Sequence, residues 1–138
     1  MEQKELTKIQ QGRGEIILLV EDEEMLLELL QVLLEENGYR VLLARDGIEA
    51  IALFERHHDE IKLVLSDMGL PKLGGWEAFQ RMRKINPAIK GILASGYFDP
   101  ELRQQMLDIG AEDFVQKPYI PSKILNQIRQ ILDDAALK

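Results

Sequence analysis

The sequence of 138 residues predicts an α/β domain in which a five-stranded parallel sheet lies between two layers of helices. Three observations predict it. Short apolar runs alternate along the chain with amphipathic segments, in strict succession. The runs lack the polar alternation of half-exposed strands, as strands covered on both faces do. The connections are short, which for a strand–helix repeat implies right-handed crossovers and parallel pairing.

Residues 1–14 are polar, and Gly12-Arg13-Gly14 interrupts any helical turn begun by Leu6 and Ile9, so this stretch reads as a linker or tail. Glu15 to Val20 is the first strand, and it runs into Glu21-Asp22-Glu23-Glu24. Acids suit a helix N-terminus, which accounts for Glu23 and Glu24; Glu21 and Asp22 lie earlier, at the strand tip, where a functional role competes better. A helix from Glu23 to about Asn37 follows, with Leu26, Leu29, Leu30, Leu33 and Leu34 as its core positions and Asn37-Gly38 as a left-handed stop. Arg40 to Ala44 is the second strand. Asp46-Gly47 turns the chain into a helix over Ile48 to Phe54, with Ile51, Leu53 and Phe54 available for burial. His57-His58 close it, and adjacent histidines suit a negative helix end better than a metal, because they point apart.

The run Leu63-Val64-Leu65-Ser66-Asp67 is the third strand, and it delivers Asp67 into a turn that Pro71 and Gly74-Gly75 shape. Trp76, Phe79, Met82 and Ile85 form one side of the third helix, closed by Asn86-Pro87. Ile89 to Ala94 is the fourth strand, ending in Ser95-Gly96-Tyr97. Asp99-Pro100 opens a helix through Leu102, Met106 and Ile109 that Gly110 stops. Glu112 to Gln116 is the fifth strand, ending in Lys117-Pro118. From Pro121-Ser122 the last helix buries a stripe of Ile124, Leu125, Ile128, Ile131 and Leu132.

Composition narrows the function. With 46% hydrophobic and 30% charged residues the chain has the material for one ordinary core. Without cysteine it has neither a disulfide framework nor a thiolate metal site, which permits a cytoplasmic location. No apolar run has the length to span a bilayer and the N-terminus is no secretory signal, so a soluble protein without membrane insertion is expected. A net charge of -7 argues against direct nucleic-acid binding and points to proteins or a cation as partners.

The polar residues at strand ends make a pattern. Glu21 and Asp22 follow the first strand, Asp67 ends the third, Ser95 the fourth and Lys117 the fifth, and in a parallel sheet these ends share one edge. In open sheets of this kind, ligands bind in the crevice beyond the carboxyl ends. Two carboxylates about 4 Å apart repel by roughly 4 kcal/mol at an effective dielectric near 20, and Lys117 offsets only part of that. A hard divalent cation on oxygen ligands is the natural remainder, and Mg²⁺ suits a site with few protein ligands. A carboxylate beside such an ion and an ammonium is suited to attack a phosphoryl group, with Asp67 as nucleophile and an acyl phosphate as product.

These residues resemble the receiver domains of two-component response regulators, including receiver modules attached to hybrid sensor histidine kinases. The resemblance rests on Glu21-Asp22, on Asp67-Met68-Gly69-Leu70-Pro71 with Gly74-Gly75, on Ala94-Ser95-Gly96-Tyr97 and on Phe114-Val115-Gln116-Lys117-Pro118. It implies a flavodoxin-like doubly wound (βα)5 fold with strand order 2-1-3-4-5, and a receiver domain over residues 15–133 with 134–138 as a short tail. By resemblance Asp67 is the phosphoacceptor, and Glu21, Asp22, Asp67 and the Gly69 backbone carbonyl hold Mg²⁺, for which Mn²⁺ can substitute. Ser95 and Phe114 are the implied switch pair, and Lys117 the implied phosphate-binding cation. Gly69 and Tyr97 hold positions that set phosphoryl lifetime, with Tyr97 expected as a lid. Glu21 departs from the more usual Asp by a longer arm.

The implied partner is a histidine kinase or histidine phosphotransfer protein. Phosphorylation is expected to draw Ser95 inward and free a volume for Phe114. A homodimer through the last two helices and the fifth strand is a further expectation, with Glu101, Arg103, Lys123 and Arg129 as ordinary exposed charges of that face. Accepting a phosphoryl group and losing it again is not turnover, so no enzyme is expected. One alternative is an interaction module that never takes phosphate; intact Asp22, Asp67, Ser95 and Lys117 argue against it. Another is a phosphatase with an Asp nucleophile, which usually needs a second acid where Met68-Gly69 offers none. Residues 133–138 are too few for an output domain, so a stand-alone regulator or a module of a larger kinase is expected.

Overall fold

The computed structural model describes residues 12–109 and 113–136. Its elements are β1 Ile16–Val20, α1 Glu24–Glu36, β2 Arg40–Ala44, α2 Gly47–His57, β3 Ile61–Asp67, α3 Gly75–Ile85, β4 Lys90–Ser95, α4 Pro100–Ile109, β5 Asp113–Gln116 and α5 Pro121–Ala136. All strand pairs are parallel and the sheet order is β2-β1-β3-β4-β5. The chain therefore winds outward from β1 in both directions, and the crevice opens between β1 and β3. Gly110, the expected helix stop, and Glu112, the expected strand start, lie outside the described residues, as do Leu6 and Ile9.

Period-2 geometry sorts β1 between two cores. Ile16, Leu18 and Val20 join Ala50, Phe54, Ala78, Phe79, Met82 and Met106 from α2, α3 and α4. Ile17 and Leu19 join Leu27, Leu30, Leu34, Ile124, Leu125, Ile128 and Leu132 from α1 and α5. Every residue of β1 is buried, which explains why its sequence shows no alternation. Gly38 sits at φ 91°, and a side chain there would strike the Gly12 carbonyl oxygen, 2.5 Å from an ideal Cβ. Gly14 N–H donates to the Gly38 carbonyl at 2.8 Å and Arg40 Nε to that of Gly14 at 3.0 Å, so residues 12–14 are fastened to the α1–β2 turn.

Two expectations need correction. Leu29 is 62% exposed, and Leu27 takes the buried place instead. Leucine occupies 26, 27, 29, 30, 33 and 34, so the run is compatible with stripes one position apart; the sheet selects the one centred on 27, 30 and 34. Met25, Leu29 and Val32 are left facing solvent as a second stripe. Arg129 is not an exposed charge either, at 5% exposure. It lies on the buried side of α5 beside Ile128, and its guanidinium meets Glu15 at 2.8 Å and Asp133 at 2.9 Å, with the Tyr39 hydroxyl at 3.5 Å. Burial pushes the Glu15 carboxyl up, but hydrogen bonds and charge from Arg129 and the Arg13 N–H hold it below its ordinary value. Among the described residues, no helix is long and apolar enough to cross a membrane.

Removing one member of a buried ion pair strands its partner, at 3–5 kcal/mol for fully enclosed pairs. Asp133 is 45% exposed, so Arg129→Met should cost less, about 2 kcal/mol, read as a lower urea midpoint at unchanged slope.

Candidate functional site

Strand register assembles the site. Val20 pairs with Ser66, so one step further on sets Glu21 beside Asp67. Asp67 pairs with Ala94, which puts Ser95 one residue beyond it, and Ser95 pairs with Gln116, which puts Lys117 one beyond that. Four strand ends thus deliver carboxylates, a hydroxyl and an ammonium to a single edge.

The Lys117 ammonium lies between two acids, 3.0 Å from Glu21 Oε1 and 2.9 Å from Asp67 Oδ1. Glu21 is 1% exposed and Asp67 7%. The second Glu21 oxygen accepts the Glu23 N–H at 3.2 Å. Burial raises the Glu21 carboxyl above its ordinary value although Lys117 and the Glu23 N–H oppose this, and the Asp67 charge adds to the rise. For Lys117 burial works against the ammonium, but hydrogen bonds and charge from Asp67 and Glu21 prevail and raise it. Tyr119 lies beneath, its ring centroid 5.9 Å from the Lys117 nitrogen, and burial together with the two carboxylates raises its phenol.

Asp22 is exposed at the rim, and ligand oxygens of Glu21, Asp22 and Asp67 all lie within 4.8 Å of one another. Three hard oxygen donors so close, with one ammonium between Glu21 and Asp67, fit a divalent cation. An ideal Cβ on Gly69 would be 3.6 Å from Asp67 Oδ2, so Lys117 holds one oxygen of Asp67 and the other faces the open Gly69 side. Gly75 packs against the back of the site, where an ideal Cβ would fall 2.0 Å from the Asp67 carbonyl oxygen. The turn is also braced from α2: Lys72, at φ 67°, reaches Asp46 at 3.5 Å, and Asp46 caps α2 by accepting from Glu49 N–H at 2.7 Å.

The predicted switch residues take different positions. Ser95 Oγ donates to the Tyr97 carbonyl at 2.9 Å and accepts from the Tyr97 N–H at 3.3 Å, which closes a local turn. Tyr97 itself is 74% exposed. Phe114 is buried, at 8% exposure. Its ring meets Phe98 edge-on with centroids 5.1 Å apart, and Arg103 lies over it at 5.1 Å. Neither Phe98 nor Arg103 carries a local sequence signal for this; only the packing of the β4–α4 loop and the start of α4 on β5 reveals it.

With this geometry in hand, comparisons with known proteins agree. The model of the response regulator receiver domain matches residues 17–129. The probable transcriptional regulator ycf27 of Porphyridium aerugineum is 35% identical over 118 residues, 86% of this chain and 48% of that protein. The uncharacterized transcriptional regulatory protein YbdJ of Bacillus subtilis is 33% identical over 121 residues, 88% of this chain and 52% of that one. The chain spans about half the length of these curated relatives. Among solved structures, a response regulator receiver domain protein from Clostridium thermocellum superposes with TM-score 0.83 at 28% identity, covering 88% of this chain and 97% of its own. A CheY-like receiver domain protein from Methanospirillum hungatei gives 0.82 at 30% identity, with 90% and 98% covered.

The two glycines near Asp67 should respond differently to a methyl group. Gly75→Ala, forced against backbone, should lower the unfolding free energy by about 1–3 kcal/mol, read from denaturant unfolding, whereas Gly69→Ala should leave it nearly unchanged.

Proposed function

Because the chain belongs to the response regulator receiver domains, we propose that Asp67 accepts a phosphoryl group from the phosphohistidine of a histidine kinase or histidine phosphotransfer protein. What carries this is the Lys117 ammonium held 2.9 Å from Asp67, at a mouth where three carboxylates converge. An Asp67 oxygen attacks phosphorus, the N–P bond breaks, and the imidazole leaves with the electron pair. Glu21, Asp22 and Asp67, with the Gly69 carbonyl, are the residues that would hold Mg²⁺ or Mn²⁺, whose charge would offset that of the phosphoryl oxygens. Lys117 keeps the nucleophile oriented and is close enough to follow the new phosphoryl oxygens. Ser95 would exchange the Tyr97 carbonyl for one of those oxygens, and Gly69 with the exposed Tyr97 would govern water access and hence lifetime.

The chain would act as an acceptor that loses its phosphoryl group slowly, not as a turnover enzyme, in the cytoplasm where kinases supply the donor. For the donor's docking, the support is the stripe of Met25, Leu29 and Val32, 72%, 62% and 52% exposed, on the helix that starts two residues after Asp22. Apolar side chains at this spacing suit an amphipathic helix laid beside the mouth. For a homodimer through α4, β5 and α5 the support is slighter: Leu107 and Ile120 are exposed there.

Two outcomes test the proposal. With acetyl phosphate and Mg²⁺, the parent should gain one acid-stable but hydroxylamine-labile phosphoryl group per chain and Asp67→Asn none; equal labelling of both would exclude Asp67. Leu29→Asp should slow transfer from a phosphohistidine donor protein by about tenfold, as a loss near 1.4 kcal/mol gives, while uptake from acetyl phosphate stays at the parent rate.

A further inference from the structure

We propose that Arg103 is a positioning residue which, together with Phe98, clamps the Phe114 ring in its buried place before any phosphoryl group arrives. The consequence for phosphorylation rests on the function proposed above; the clamp itself rests on geometry alone. Phe98 and Phe114 meet at 66° with centroids 5.1 Å apart, inside the range that aromatic pairs prefer. Arg103 Cζ stands 5.1 Å from the centroid of the same ring, close enough for a cation–π contact. Among the described residues no carboxylate pairs with Arg103, so its charge is directed at the ring and at solvent.

Both clamp members come from one short stretch whose backbone is held locally. Arg103 N–H donates to the Asp99 carbonyl at 2.9 Å, and the Asp99 carboxylate accepts from Glu101 N–H at 3.2 Å. Phe98 follows directly on Tyr97, whose carbonyl and N–H engage the Ser95 hydroxyl. On the other side, Lys117 N–H donates to the Ser95 carbonyl at 2.8 Å, three residues along from Phe114. The ring is thus tied by its neighbours to the same Ser95 turn and the same Lys117 that border Asp67. A ring held in place beforehand spares the acceptor state an ordering step, so loosening the clamp should slow phosphoryl uptake.

The test uses fluorophenylalanine, which labels four positions, Phe54, Phe79, Phe98 and Phe114. Phe114→Leu identifies the Phe114 signal in ¹⁹F NMR. In Arg103→Gln and in Phe98→Leu that signal should shift and gain solvent-isotope sensitivity, with those of Phe54 and Phe79 unmoved, and Arg103→Lys should restore it in part. Uptake from acetyl phosphate should fall roughly two- to fivefold in Arg103→Gln, the span expected for a surface cation–π contact. An unchanged Phe114 signal in both variants overturns the clamp, and a moved signal with parent-rate uptake overturns the positioning role. Failure of the parent itself to take up phosphoryl sinks the function proposed for Asp67, while the unphosphorylated ring signals still decide the clamp.

Discussion

Everything at the carboxyl edge depends on one ammonium placed between two buried carboxylates. A parallel sheet brings all its strand ends to the same side, and here the ends of β1 and β3 are acidic, so packing the sheet forces Glu21 and Asp67 together. Burying such a pair without a counterion would cost several kcal/mol per charge. Lys117 answers both from the end of β5, three strand spacings from β1, or about 14 Å. That span needs length from both partners. Glutamate at position 21 supplies one methylene more than aspartate, and its other oxygen is fixed by the Glu23 N–H.

The opposite edge repeats the principle with a different result. β1 begins after Glu15 as it ends before Glu21, and each acid is met by a cation from the last quarter of the chain, Arg129 and Lys117 respectively. Strand β1 is therefore pinned at both ends by residues 114 and 96 positions away in sequence. At the Glu15 end, the guanidinium is satisfied by two carboxylates and a hydroxyl, in a structural lock. At the Glu21 end, one ammonium faces three acids and leaves negative charge over. That residue of unmet repulsion is what makes one pole fit for a cation and the other only for stability.

The strand ends were legible in the sequence because period and punctuation are local properties. Apolar runs that end in a polar residue, with glycine or proline close behind Asp67, Ser95 and Lys117 and an acidic cluster behind Glu21, locate these four on one edge once the strands are parallel. What depends on a second element was not legible. Arg129 looks like any helix-surface charge until Glu15 is seen to lie opposite. Leu27 and Leu29 are equivalent by composition, and only the sheet beneath α1 distinguishes them. Phe114 falls in a short strand that pairs it with Val115 between two polar ends, but Phe98 and Arg103, which define its surroundings, belong to a loop and an exposed helix face.

The resting geometry of Ser95 also limits how a phosphoryl group on Asp67 would act. Its hydroxyl already donates to the Tyr97 carbonyl, so turning towards a phosphoryl oxygen exchanges one hydrogen bond for another. A neutral bond is worth about 1 kcal/mol net and a charge-assisted one roughly twice that, so the exchange alone favours the turned state by only about 1 kcal/mol. Moving a two-state population from one per cent to ninety-nine requires about 5.5 kcal/mol. Ser95 by itself therefore falls well short of a switch. The rest would have to come from interactions that differ between the two states: the Phe98–Phe114 contact is already made here and supplies nothing as it stands, whereas the Lys117 ammonium, 2.9 Å from Asp67, is close enough to gain a contact with the new oxygens.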